Sequence, residues 1–287
     1  MTLSAPMRCS AVAEDLGEPM IGTVEQRVRW LLVEDRSAWG QDATADVVGA
    51  EFVAALKRDR VRVLLVRRRE ADPAADAVRR VVLVDTNARQ MSMRTIKSLD
   101  ELEPALLASV SISDFGAPLT EPIFLVCSNG KRDACCAVRG RALLGALSEE
   151  HGDWTWECTH LGGHRFAANL VCLPDGIVYG RVTPSDGPRL ADAYREGRLA
   201  PGAMRGRSAW AAPAQVAEQH LRLAEGLLGV SDVELVSAAI DGDQAEVTLS
   251  VSGSPRAFTL HAEPMTPARP TSCRADELEA PVHWRVV

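Results

Sequence analysis

Strand-length apolar runs alternate with helix-period segments along most of this 287-residue chain. That alternation confines it to the α/β class. Val28–Glu34 reads as a strand, Ala43–Arg58 as a helix, and Arg60–Arg67 and Val81–Asp85 as β-branched strands. Leu99–Ala108 resembles a short helix, so the first unit has the order β-α-β-β-α. The turn-forming stretch Asp114-Phe-Gly-Ala-Pro118 and Pro122 then break the chain, which places a boundary after residue 118. In the second unit Ile123–Cys127 is a strand, Asp133–Glu150 a helix and Trp154–Cys158 a strand. The hairpin strands Leu170–Leu173 and Ile177–Val182 follow, turning at Pro174-Asp-Gly176, and then a helix, Ser185–Gly197. Past a polar linker, Pro213–Leu228 is amphipathic, and Val233–Ala239, Glu246–Val251 and Phe258–Ala262 are strands. The expected parts are 1–118, 119–200 and an α-β extension, 201–287, packing on the first.

Composition narrows the function classes. The chain is 46% hydrophobic and 25% charged, which excludes global disorder. No apolar run reaches the ~18–20 residues of a membrane helix. Met1–Glu18 shows no basic-then-apolar export pattern, so a cytoplasmic setting is expected, with the seven cysteines as reduced thiols or ligands. The net charge is −7, but Lys57–Lys97 holds 12 basic residues against five acids, a net +7. A basic surface can steer an acidic partner. Nucleic acid is not the expected partner, because that stretch has no aromatic residue for bases to stack on.

The chemistry concentrates in two pairs. Four of the seven cysteines fall between 127 and 158. Cys127 ends a strand and Cys136 opens a helix, with the small and polar loop Ser-Asn-Gly-Lys-Arg-Asp-Ala-Cys between them. A helix N-terminus favours a thiolate over a thiol. His160 and His164 are spaced to share one face of a helical turn, with Gly162 and Gly163 letting backbone approach a ligand. Two cysteines and two histidines suit zinc or a [2Fe–2S] cluster. Zinc sites usually hold paired cysteines two to four residues apart, so the wide loop suits a larger inorganic group.

Cys127-(eight residues)-Cys136, then His160-Leu-Gly-Gly-His164-Arg-Phe-Ala-Ala-Asn169 and the Leu-Pro-Asp-Gly-Ile-Val-Tyr-Gly hairpin, resembles the sucrase/ferredoxin-like family. Cys9-Ser, Gly17-Glu-Pro and Trp30-Leu-Leu-Val-Glu…Trp39-Gly are similar to its bacterial members. The resemblance covers most of the chain and is densest from 120 to 200. It implies a thioredoxin-like ferredoxin domain with an N-terminal domain of similar architecture. It also implies a [2Fe–2S] cofactor and one-electron transfer with a redox protein, a reductase or oxidase. Cys127 and Cys136 match its cysteine ligands. His160 and His164 match the histidine ligands of the fungal actin-patch-distribution branch. Imidazoles in place of thiolates make such a cluster less negative and raise its potential. A free ring nitrogen would couple reduction to a proton, and Lys131, Arg132 and Arg165 would favour the added electron.

Cys135 and Cys158 are the competitors for ligation and are expected beside the site rather than in it. Cys172 reads as core. Cys9 and Cys273, near the termini, are expected to do no chemistry, and His151, His220, His261 and His283 to be surface or structural. The alternatives are a zinc-stabilised interaction module and a thiol-disulfide oxidoreductase, though the latter lacks a Cys-x-x-Cys. No Gly-x-Ser-x-Gly or phosphate-binding loop supports a hydrolase or nucleotide reading.

Overall fold

The computed structural model describes residues 8–68 and 78–287. Residues 1–7, and Arg69, Glu70, Asp72 and Asp76 of the basic stretch, lie outside the described residues. In the first unit α1 (Cys9–Asp15) precedes β1 (Arg29–Glu34), α2 (Ala43–Val48), α3 (Ala50–Arg58), β2 (Val61–Arg67), β3 (Arg79–Asp85) and β4 (Gln90–Ile96). Helices α4 (Pro104–Ser109) and α5 (Ile112–Phe115) and the short β5 (Ala117–Pro118) close it. The second unit runs β6 (Ile123–Cys127), α6 (Ala134–His151), β7 (Thr155–Cys158), β8 (Leu170–Leu173), β9 (Ile177–Tyr179), α7 (Asp186–Arg195) and β10 (Met204–Arg207). Then come α8 (Ala212–Glu225), β11 (Val233–Asp241), β12 (Gln244–Val251), β13 (Ser254–Pro264) and β14 (Val282–Val286).

Ten strands form one sheet in the order β10-β9-β8-β6-β7-β2-β1-β3-β4-β5. β1 and β2 are parallel, β3 is antiparallel to β1, and β4 folds back on β3. β6 and β7 are likewise parallel, β8 is antiparallel to β6, and β9 folds back on β8. The α/β class and the two thioredoxin-like units are therefore present, each with its second strand outside its first and its third and fourth on the other side. They join edge to edge through antiparallel β2 and β7, pairing Val66 with Cys158 and Arg67 with Glu157. Thr159 extends the join: its amide donates to the Leu65 carbonyl at 2.9 Å, and its hydroxyl accepts from the Leu65 amide at 3.1 Å.

The central strands are near-continuous apolar runs because both faces of the sheet are covered. One apolar layer crosses the join, from Trp30 and Leu32 through Leu125 to Val171. The other face of the first unit packs on α2–α5 through Leu56, Leu107 and Phe115. That of the second packs on α6 and α7 through Leu143, Leu147 and Ala191.

Several expectations need correction. Ala43–Arg58 is two helices, because Gly49 (φ 92°) breaks it. β4 escaped notice because Gln-Met-Ser-Met-Arg-Thr-Ile has few β-branched residues. The polar linker contains β10, buried through Met204 in the apolar core, the Arg205 hydrogen bonds and the Arg207–Glu218 ion pair. The C-terminal extension packs mainly on the second unit, not the first: Ala214, Ala217 and Leu221 of α8 share one core with Phe124 and Tyr179, and Val247, Leu249 and Leu260 of the four-stranded sheet β11–β14 join it.

Glu218 of α8 fixes β10 against that helix. It is fully buried and receives Arg207 and Arg222, both also buried, at 3.0 Å each. Glu218→Ala would leave two buried guanidiniums without their shared carboxylate. It is expected to cost about 3–5 kcal/mol, read as a lowered urea midpoint at unchanged slope.

Candidate metal centre

Cys127 is the last residue of β6 and Cys136 lies in the first turn of α6. The loop between them is internally tied. Asp133 caps α6 by accepting from the Cys135 amide at 2.8 Å. The Asn129 side-chain oxygen accepts from the Lys131 amide at 3.1 Å, and its carbonyl accepts from the Arg132 and Asp133 amides at 3.2 Å each. The loop also leans on the β1–α2 connection of the first unit: Asn129 donates to the Gly40 carbonyl at 3.0 Å, and Arg132 pairs with Asp42 at 2.6 Å. Helix α6 approaches the end of β6 closely at Gly140, where an added Cβ would lie 2.1 Å from the Cys127 carbonyl oxygen.

The histidines do not share a helical turn. Gly162 (φ 83°) and Gly163 (φ 66°) are both left-handed, and His164 opens a 3-10 turn, His164–Phe166. This bend stacks the two imidazoles face to face, 3.9 Å apart and 9° from parallel. Arg205 of β10 holds the bend from behind. It is 2% exposed and donates to the Gly162 carbonyl at 3.2 Å, to Asn169 Oδ1 at 2.8 Å and to the Thr23 carbonyl at 2.9 Å. Asn169 in turn donates to the Gly163 carbonyl at 3.1 Å. Across the join, Arg62 of β2 donates to the His160 carbonyl at 2.8 Å.

Two of the four expected donors, Cys136 and His164, come together with Asp133, and His160 stacks on His164. Cys136, His160 and the Leu161 amide lie near enough to Cys127 to set its protonation. Cys136 Sγ lies 3.5 Å from His164 Nδ1. Cys127, Cys136 and His164 are buried, while His160 borders a cleft of about 440 Å³ between the units. Hydrogen bonding from Cys136, aided by His160 and against the cost of burial, holds the Cys127 thiol well below its ordinary range. The same bond, with burial, pushes Cys136 up. Burial first, and then His160, push His164 down to about 4, against the opposing pull of Asp133. A thiolate and a neutral imidazole are the protonation states a metal needs. Cys136, His164 and Asp133 bring their ligand atoms within 4.8 Å of one another, a group able to hold a metal ion.

Cys158 pairs backbone to backbone with Cys127 across β6 and β7, and burial, then Cys127, push its thiol well up. Cys135 turns away from Cys136 toward Cys9 at 3.7 Å and Cys273 at 3.2 Å. The fold brings Cys9 and Cys273, expected to do no chemistry, together with Cys135. Cys172 is core. His151 packs edge-on to Phe124 at 5.9 Å, and His261 pairs with Asp243 at 3.1 Å. Arg165 is ion-paired with Glu18 at 2.7 Å, so its charge faces a carboxylate rather than the imidazoles. Sequence reading missed Arg205, in a stretch whose Met-Arg-Gly-Arg pattern carries no strand signal. It also missed Asp133, whose capping role was the one legible trace.

Residues 20–206 match the sequence profile of the family described as Sucrase/ferredoxin-like, well over half of the chain. The chain belongs to the sucrase/ferredoxin-like family. It is similar to "Altered inheritance of mitochondria protein 32" of Meyerozyma guilliermondii, 34% identical over 26% of this chain and 30% of the relative. It is also similar to the protein of that name from Eremothecium gossypii, 30% identical over 32% of this chain and 34% of the relative. It thus spans about a third of the length of the curated relatives it matches. No solved structure matches this member of the sucrase/ferredoxin-like family. No helix among its described residues is long and apolar enough to cross a membrane.

Two outcomes are expected at this centre. In metal-free protein, stability should fall as pH drops from about 6.5 to about 4, because the unfolded chain then binds a proton that folded His164 does not. His164→Asn should flatten that slope in melting curves taken across pH. Gly140→Val should cost about 1–3 kcal/mol by pushing α6 from β6, with loss of bound metal before loss of helicity by circular dichroism.

Proposed function

We propose that this protein is a one-electron carrier holding a [2Fe–2S] cluster through Cys127, Cys136, His160 and His164. The observation that carries this reading is the donor set itself. What supports it is Cys136, at a helix start, 3.5 Å from His164, with His160 stacked on that ring and Cys127 at the adjoining strand end, in surroundings that favour a thiolate at Cys127 and a neutral His164. Such a mixed set is that of Rieske-type centres. When bound, the cluster supplies reversible one-electron transfer. Cys127 and Cys136 would hold it from the β6–α6 side and the histidines from the Gly162–Gly163 bend. Arg205 keeps a buried positive charge behind that bend, and its fixed charge favours an added electron. Burial, then the charges of Arg165 and Arg62, lower the Arg205 pKa to about 9, which leaves it charged at neutral pH.

His160 gives the centre an opening. The cleft beside it carries Arg27, Lys57, Arg62 and Arg132 together with Glu25 and Asp42, and we assign to it the docking of the donor or acceptor protein. Basic residues are ion-paired both in the cleft, where Arg62 meets Glu25 at 3.2 Å, and along the wider basic stretch. Arg67 pairs with Glu157 at 2.5 Å, Arg79 with Asp35 at 2.7 Å and Arg89 with Asp175 at 3.2 Å.

Cys136→Ser is expected to abolish the visible absorbance of anaerobically purified protein. His164→Cys should keep a coloured protein of lower potential. If both retain wild-type spectra, the assignment is wrong. If the protein is colourless and Cys136→Ser loses one equivalent of zinc, the centre is a structural zinc site instead. Arg205→Gln should lower the potential by on the order of tens of millivolts. The potential should also fall by up to about 59 mV per pH unit, and a flat profile between pH 6 and 9 would remove the proton coupling.

A further inference from the structure

We infer that Cys9, Cys135 and Cys273 form a second metal site, which takes a single zinc ion with Asp133 as its oxygen ligand. The three sulfurs lie 3.7 Å (Cys9 to Cys135), 3.2 Å (Cys135 to Cys273) and 3.6 Å (Cys273 to Cys9) apart. All three thiols are free, so no disulfide accounts for this approach. A tetrahedral zinc with bonds of about 2.3 Å spaces its sulfurs about 3.8 Å apart, so the triangle needs only a slight opening to accept the ion. Asp133 Oδ2 lies 4.0 Å from Cys9 Sγ, on hand for the fourth position.

The surroundings are those of a ligand set rather than of apolar packing. Asp133 is fully buried, and among the described residues the one side chain able to carry positive charge within 4.0 Å of it is His164, at 3.9 Å. Metal-bound, that imidazole is neutral. A buried carboxylate is normally paired or bound to metal, and beside three thiols a zinc ion supplies the missing positive charge. Ser10 donates to Cys135 Sγ at 3.3 Å, and the Cys273 amide donates to Asp133 Oδ2 at 2.8 Å. The start of α6 adds its favourable end of the helix dipole for anionic sulfur. Binding deprotonates the three thiols, releases those protons to solvent and changes no oxidation state.

The site also explains a connection. Residues 265–281, between β13 and β14, form a long link with no helix or strand of their own. A link of that length is expected to have a role. Here it returns from the C-terminal sheet to α6, anchored by Arg269, buried 3.7 Å from Glu18, and by Cys273. Cys9 is the first residue of α1. The ion would tie α1 and the 265–281 link to the helix that bears Cys136. Neighbouring positions on that helix point in different directions, so Cys135 and Cys136 serve two different sites.

The test is elemental analysis of the full-length protein, purified anaerobically, incubated with zinc and desalted. Wild type should hold about one zinc per chain. Cys273→Ser and Cys9→Ser should each lose it while keeping iron and the visible spectrum. Cys136→Ser should lose iron and keep zinc, which separates this site from the proposed cluster. Because Cys9→Ser is wholly buried and can fail to fold, cobalt(II) is added to wild type as a second probe. Thiolate-to-cobalt charge transfer with tetrahedral bands supports the site. Wild type without bound zinc or cobalt, zinc retained in Cys273→Ser, or a Cys135–Cys273 disulfide by mass would each overturn it.

Discussion

The antiparallel pairing of β2 with β7 is the contact on which the arrangement rests. Each unit ends its sheet with its second strand, and an unpaired edge of that kind is a liability in water. Pairing the two edges removes both and makes one apolar layer common to the units. It also makes the first unit part of the candidate centre, although it contributes none of the four donors. Arg62 of β2 reaches the His160 carbonyl, and the Gly40 carbonyl and Asp42 receive Asn129 and Arg132 of the cysteine loop. The loop after β6 is thus fixed by the corresponding loop after β1.

Within that frame, burial and hydrogen bonding set the chemistry. Burial alone would protonate both cysteines, and the bonds converging on Cys127 reverse that for one of them. Burial works in the useful direction for His164, keeping its nitrogen lone pair free. Asp133 stands where two groups of ligand atoms meet. It lies within 4.0 Å of His164 on one side and of Cys9 on the other. Its other oxygen caps α6, so the same carboxylate orders the helix that carries both Cys135 and Cys136.

Much of this was legible in the residues. Apolar runs such as Trp30–Glu34 and Ile123–Cys127 announced buried strands, and the Cys-x8-Cys and His-x3-His spacings singled out Cys136 and His164, which meet at 3.5 Å, and His160, which stacks on His164. The bend between the histidines was half legible: the two glycines were noticed, but a three-residue gap suggests a helical turn, and only their left-handed backbone stacks the rings. Arg205 was hidden because its strand is held by the Arg207–Glu218 ion pair and by Arg205's own hydrogen bonds, which leave no periodic apolar pattern. The group of Cys9, Cys135 and Cys273 was unreadable for a different reason. Its members are 126, 138 and 264 residues apart, and nothing local in sequence reports contacts closed by the whole fold.

The central claim is mixed ligation, two cysteines and two histidines on one [2Fe–2S] cluster. The most direct measurement is an electron paramagnetic resonance spectrum of the dithionite-reduced, anaerobically purified protein. The account predicts a signal whose average g falls in the low range of Rieske-type centres, with nitrogen couplings that disappear in His160→Cys/His164→Cys protein. A higher, plant-ferredoxin-like average without nitrogen coupling would contradict it and would place a third or fourth cysteine, Cys158 or Cys135, on the iron.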